Sequence, residues 1–188
     1  MLYHVSEKAG LKVLQPHIST HKKAYVYAID NVVTGILFGA KKDDFDFIIS
    51  TDENNKPIIW ECYPDALKKK YQGKCCSIYE LNDEGFQRGM TSWAPELVCE
   101  CEVEVLRELV VNDLYERLLE EEQSGNLEIH RYEFNDEYRK KISAHIVDRL
   151  IRFEVDLSKC QEQDERFSTY YKNIINALVS VMDGHLLH

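Results

Sequence analysis

Three side chains with chemical potential sit in or at the edge of strand-like runs in the first 110 residues. They are His4 in Tyr3-His4-Val5-Ser6, Tyr27 in Tyr25-Val26-Tyr27-Ala28, and Glu96 in Pro95-Glu96-Leu97-Val98. An imidazole exchanges hydrogen bonds with a polar ligand, a phenol ring stacks on a planar group, and a carboxylate stabilises positive charge as it develops. The three serve one reaction only if they meet in one cleft. Each also has an architectural reading. His4 can be a hydrogen-bonded strand histidine. Tyr27 can fill a core, as can Tyr25, which points the same way two residues earlier. Glu80 in SIYEL and Glu133 in HRYEF are strand-associated carboxylates that compete with Glu96. Taken alone, the residues leave these alternatives open.

Other chemistries find less support. The chain has no G-x-x-x-x-G-K-[ST], G-x-G-x-x-G, G-x-S-x-G or H-E-x-x-H, which argues against a nucleotide triphosphatase, a Rossmann dehydrogenase, a lipase-type hydrolase and a zincin. The six cysteines, Cys62, Cys75, Cys76, Cys99, Cys101 and Cys160, do not match zinc-ligand spacings. They are expected to be structural or reduced thiols, with the alternating Cys99 and Cys101 on one face of a strand. His17 and His21, with Pro16 before them and Ser19-Thr20 between, read as a solvated loop pair, so no metal is expected. Lys68-Lys69-Lys70 reads as the solvated face of a short helix. With 23 basic against 33 acidic residues the net charge is -10, which disfavours a broad grip on nucleic acid or anionic lipid. No apolar run is long enough for a membrane span and the N-terminus lacks a secretory core, so a cytoplasmic protein is expected.

The elements that must position these residues follow from pattern. Up to Val110 the chain reads as short β-rich runs: LYHV, AYVYAI, FDFIIS, PIIWECY, CSIYEL and ELVCECEVEV. TDENNK makes FDFIIS and PIIWECY the best hairpin pair. One short helix should follow Asp30 as its N-cap, and another should run from Pro64 to a stop at Gly73. From Asn112 the period becomes helical. Leu114, Leu118 and Leu119 form a stripe ending near Gly125, and the strand-like LEIHRY follows. A helix capped by Asn135 or Asp136 then buries Tyr138, Ile142, Ile146, Leu150 and Phe153. A last helix turns Phe167, Tyr170, Tyr171, Ile174, Leu178 and Val181 inward. The reading is an α+β chain, with a β-rich domain over residues 1–110 and a helical extension over 111–188 packed on it.

In motif and order, His4-Val5-Ser6, Tyr27 running into Ala28-Ile29-Asp30 and a helix, and Glu96-Leu97-Val98 continued by Val103 and Val105 resemble the ADP-ribosyltransferase superfamily. The branch is the histidine-tyrosine-glutamate one, that of poly(ADP-ribose) polymerases and diphtheria-like toxins, and the resemblance is to a bacterial-type member. It covers about 110 residues, and Val5 stands where that family has glycine. The sequence after Glu96 fits the family best of the three carboxylates. The resemblance implies a split β-sandwich that binds NAD as substrate and transfers or hydrolyses ADP-ribose. It implies that Glu96 stabilises the oxocarbenium-like state, holds the ribose 2′-hydroxyl and orients or deprotonates the acceptor. It further implies that His4 and Ser6 contact the dinucleotide, His4 through a ribose hydroxyl, and that Tyr27 stacks on nicotinamide. MTSWAP occupies the acceptor-recognition place, with Trp93 and Arg88 as the residues to test. Ala94, two residues before Glu96, disfavours arginine as the acceptor side chain. The acceptor is expected to be a protein rather than nucleic acid.

An RNA 2′-phosphotransferase is a second enzymatic option within that fold. The rival of another class is a catalytically inert interaction scaffold, with Phe167, Tyr170 and Tyr171 of the extension forming a homodimer or partner interface.

Overall fold

A computed structural model describes residues 1–18, 23–91 and 93–185, the last four of these by their backbone. The chain divides into two compact units. The first holds Met1–Lys42, Thr51–Ile58 and Leu67–Glu128; the second holds Asp43–Ser50, Ile59–Ala66 and Ile129–His188.

Runs rich in β-branched and aromatic residues became strands, as their fit to a pleated surface requires. In chain order the elements are β1 (Leu2–Ser6), β2 (Val13–Leu14), β3 (His17–Ile18), β4 (Ala24–Ile29), α1 (Val32–Ile36), β5 (Phe47–Thr51), β6 (Pro57–Glu61), α2 (Ala66–Tyr71), β7 (Cys76–Leu81), β8 (Gln87–Arg88), β9 (Glu96–Cys99) and β10 (Val103–Val111). There follow α3 (Leu114–Gln123), β11 (Glu128–His130), α4 (Asp136–Arg152), α5 (Cys160–Gln163), α6 (Glu165–Thr169) and α7 (Lys172–His185). The fold is α+β. None of the helices among the described residues is long and apolar enough to cross a membrane.

In the first unit an eight-stranded sheet runs β2-β10-β7-β1-β4-β9-β8, with β3 on β4. The pairs β1–β4, β1–β7, β7–β10 and β4–β9 are antiparallel. Leu2, Val26, Ala28, Tyr79, Leu81 and Cys99 pack together as its core. The helix after β4 is capped by Asn31, whose Oδ1 accepts from Thr34 N at 3.1 Å. Asp30, the expected cap, is one residue too early and pairs with Arg88 instead. The α3 stripe is buried at Leu114 and Leu118, both 0% exposed, and the helix stops at Gly125, whose φ of +76° suits glycine. Cys99 ends β9 buried while Cys101 is exposed in the following turn, so the two do not share a strand face. All six thiols are free. His21, Ser19 and Thr20 lie outside the described residues.

Between β5 and β6, the carboxylate of Asp52 accepts from the N–H groups of Asn54 and Lys56, each at 2.8 Å, and closes the turn expected from TDENNK. β5 and β6 are neighbours in a three-stranded sheet ordered β11-β6-β5, of which residues 47–50, 59–61 and 129–130 belong to the second unit. There α4 begins at Asn135, whose Oδ1 accepts from Tyr138 N at 2.8 Å. Tyr138, Ile142, Ile146 and Leu150 are buried as their spacing demands, but Phe153, at the C-cap, is 51% exposed.

The last predicted helix is two pieces, α6 and α7. After Thr169 the N–H groups of Tyr170 and Tyr171 both turn back to the carbonyl of Arg166, and the helical register restarts at Lys172. The restart rotates the inner face. Phe167, Tyr171 and Ile175 are buried, whereas Tyr170 is 38% and Val181 58% exposed. Phe167 and Tyr171 are thus spent inside the second unit rather than offered to a partner. Arg166 locks this region, donating to Asp43, Asp46 and Asp164 at 2.6 Å each.

Candidate active site

The three strands that carry the candidate residues are neighbours, in the order β1, β4, β9. Ile29 of β4 is the common reference: Tyr3 is its partner on β1 and Glu96 its partner on β9. Tyr27 lies two residues back on the same face of β4. Among the described residues β1 and β4 keep register only at Tyr3 and Ile29. Beyond that point the side chain of His4 replaces the ladder, its Nδ1 lying 2.8 Å from the Tyr27 carbonyl oxygen. Since a carbonyl only accepts, Nδ1 carries the hydrogen, and the neutral ring keeps its Nε2 lone pair for another partner.

A cleft of about 180 Å³ opens here, lined by His4, Tyr27, Glu96 and Trp93, together with Tyr3, Val5, His17, Gly35 and Phe38. Burial lowers the His4 pKa below its ordinary value; the hydrogen bond to the Tyr27 carbonyl opposes this and His17 adds to it. The imidazole is therefore neutral near pH 7, and it can accept a hydrogen bond from a hydroxyl. His17 meets Tyr27 edge-on, ring centroids 5.6 Å apart. Trp93 packs on Phe38 at 4.9 Å and forms one lip. Gly35 lets α1 approach closely: a Cβ there would stand 3.2 Å from Ile29 Cγ2 and 3.3 Å from Val5 Cγ2.

The competing residues lie elsewhere. Tyr25 is 5% exposed and lines a different cavity. Glu80, on β7, is the partner of Tyr3 on the other side of β1 and lies 3.9 Å from Arg107. Glu133 is in the second unit, hydrogen-bonded by Asn135. Neither carboxylate lines the cleft. Ser6 does not line it either. Its Oγ accepts from Lys8 N at 3.1 Å, and it borders a second cavity of about 580 Å³ that shares His4 and His17 with the first.

Arg88 has an internal role. It donates to Asp30 at 2.5 Å and to the Ala94 carbonyl at 3.1 Å, tying the end of β4 to the loop that carries Trp93 and leads into Glu96. Ser92 of that loop lies outside the described residues. The sequence reading missed His17, Phe38 and Gly35. Only His17 had drawn notice, through its spacing from His21; Phe38 and Gly35 carry no local motif and reach the cleft by tertiary packing. Among the described residues no group of three or more His, Cys, Asp or Glu could hold a metal ion. The chain matches no protein-family model, no curated protein and no solved structure.

Proposed function

We propose that the chain binds NAD in this cleft and cleaves the bond between nicotinamide and ribose, passing ADP-ribose to an acceptor or to water. The observation that carries the reading is that His4, Tyr27 and Glu96, drawn from three adjacent strands, line one cleft. In the reaction the electron pair of the glycosidic bond leaves with nicotinamide, positive charge builds on ribose C1′, and the acceptor oxygen or nitrogen bonds there as it loses its proton. Glu96 stabilises that charge and takes or relays the proton. His4 Nε2 accepts from a ribose hydroxyl, and the Tyr27 ring stacks on nicotinamide with Trp93 at the lip. A cleft of 180 Å³ suits the nicotinamide end of the dinucleotide; the adjoining cavity that holds Ser6 and Lys8 has room for the phosphates and adenosine. The finer fold assignment, a split β-sandwich like that of the ADP-ribosyltransferases, goes with this reading.

One observation favours a second reading, an inert scaffold of the same fold. Val5 lines the cleft where the resembled family has glycine, so a branched side chain takes up ligand space. The test is to mix the chain with millimolar NAD and to follow melting temperature and released nicotinamide. A rise in melting temperature, with release cut about 100-fold or more by Glu96→Gln, supports the enzyme. No shift and no release in either protein overturns it and leaves the scaffold.

A further inference from the structure

The second unit has a cavity of about 230 Å³ of its own, walled by α4 and the start of α7. Its floor is apolar and closed: Ile142 is 3% and Tyr171 1% exposed. Arg139 and Ser143, four residues apart and so on one face of α4, stand over that floor, with Asn173 across from them. These three side chains are unspent among the described residues. Among the described residues the Arg139 guanidinium makes no ion pair and no hydrogen bond, and it lies 5.8 Å from the Phe134 ring centroid. Neither Ser143 Oγ nor the Asn173 side-chain amide is hydrogen-bonded to any described residue. No aspartate or glutamate lines the cavity, although acidic residues outnumber basic ones 33 to 23 in the chain.

We propose that this cavity is a second ligand site and takes a small molecule with a flat apolar body and one carboxylate or phosphate group. The guanidinium fork matches two oxygens of such an anion, while the hydroxyl and the amide donate to its remaining lone pairs. Arg139 and Asn173 are exposed at the mouth, so what marks the place is the convergence of three donors over one apolar cavity. Tyr132 and Tyr170 also line the cavity; Tyr170 is stacked on Tyr63, ring centroids 4.9 Å apart, and the two tyrosines add aromatic surface to the wall that a flat body would meet. The volume lies below the 300–1,000 Å³ of drug-sized pockets, so the body is about one ring in size. A cation is repelled by Arg139, and a neutral ring leaves its fork unmatched.

The test is an amide NMR titration of the full chain with phenyl phosphate and with benzoate, using phenol and inorganic phosphate as partial ligands. Saturable shifts are expected at Arg139, Ser143 and residues 171–174 for at least one of the two aromatic anions. Phenol and inorganic phosphate should each bind at least tenfold more weakly. Arg139→Leu, at an exposed position with no ion pair to lose, should keep a dispersed spectrum and weaken binding tenfold or more; Asn173→Leu should weaken it in the same way. Which anion binds tells carboxylate from phosphate. Shifts that do not saturate with either anion, that survive Arg139→Leu, or that phenol reproduces equally would overturn the site. These readouts lie in the second unit and stand whether or not NAD binds in the first.

Discussion

His4 gives the cleft a pH signature. Its pKa is lowered on folding, so at pH values between the folded value and the ordinary 6.5 the unfolded chain binds more protons. The stability this contributes is fully present above pH 6.5 and is lost as the pH falls from there through the folded value. Urea unfolding at stepped pH between 7 and 5 should show a shallower loss for His4→Asn than for the parent chain. Equal slopes in the two proteins would mean that His4 is not held neutral. NAD turnover, if Nε2 accepts from ribose, should decline over the same window. Val5 and Gly35 act on volume. Val5→Gly should enlarge the cleft and tighten NAD binding, whereas Gly35→Ala puts a methyl 3.2–3.3 Å from Ile29 and Val5 and should weaken it. A calorimetric titration showing the same affinity in both variants would remove the cleft as the binding place.

At the level of elements, the chain connects its site by short tethers. Arg88 on β8 holds Asp30, at the end of β4, and Ala94, two residues before β9. The ion pair is about half exposed, so its loss should barely change global stability. Its effect should be local. In a Trp60→Phe background, Arg88→Met should raise the mobility of Trp93, read as a drop in its fluorescence anisotropy, and should lower turnover more than it raises KM. An unchanged anisotropy would free the loop from this tether. Asn135 is a tether of another kind: replacing it with alanine removes the cap of α4 and should cost about 1 kcal/mol in urea unfolding. Asn135 was within reach of sequence reasoning because a short polar side chain before an apolar period has a local cause, whereas at the first helix the adjacent Asp30 and Asn31 both satisfy that rule and the pairing of Asp30 with Arg88 leaves the cap to Asn31. The break between α6 and α7 was out of reach. Each side of Tyr170 is helix-compatible in composition, and the restart shows only once Phe167, Tyr171 and Ile175 are seen buried together.

For the whole molecule, the second unit depends on one cation. Burial works against the Arg166 charge, yet the carboxylates of Asp43, Asp164 and Asp46 outweigh it and hold its pKa above the ordinary value. Asp46 is 0% exposed, so Arg166→Met would leave its buried charge with the Tyr63 hydroxyl and the Asp43 N–H but without the guanidinium, a loss of about 3 kcal/mol. Hydrogen exchange should speed up in 43–50, 59–66 and 129–185, and a uniform change across the chain would contradict the division into units. That division also shows where sequence reading ends. The strands β5 and β6 look like members of one β-rich run, yet residues 43–50 and 59–66 cluster with the C-terminal helices, while α3 clusters with the sheet.

The amino-acid order by itself determined the α+β class, the longer strands and helices, the turn at Asp52, the cap at Asn135 and the presence of an imidazole, a phenol and a carboxylate on separate strands. These depend on side-chain period and on hydrogen bonds that span a few residues. Strand order, the departure of β1 from β4 beyond Ile29, the placing of Glu80 and Glu133 away from the cleft that Glu96 lines, and the arrival of His17, Phe38 and Gly35 beside it were decided only by the tertiary structure. Pairing between strands tens of residues apart is set by how apolar faces are buried together, and no short stretch of chain contains that information.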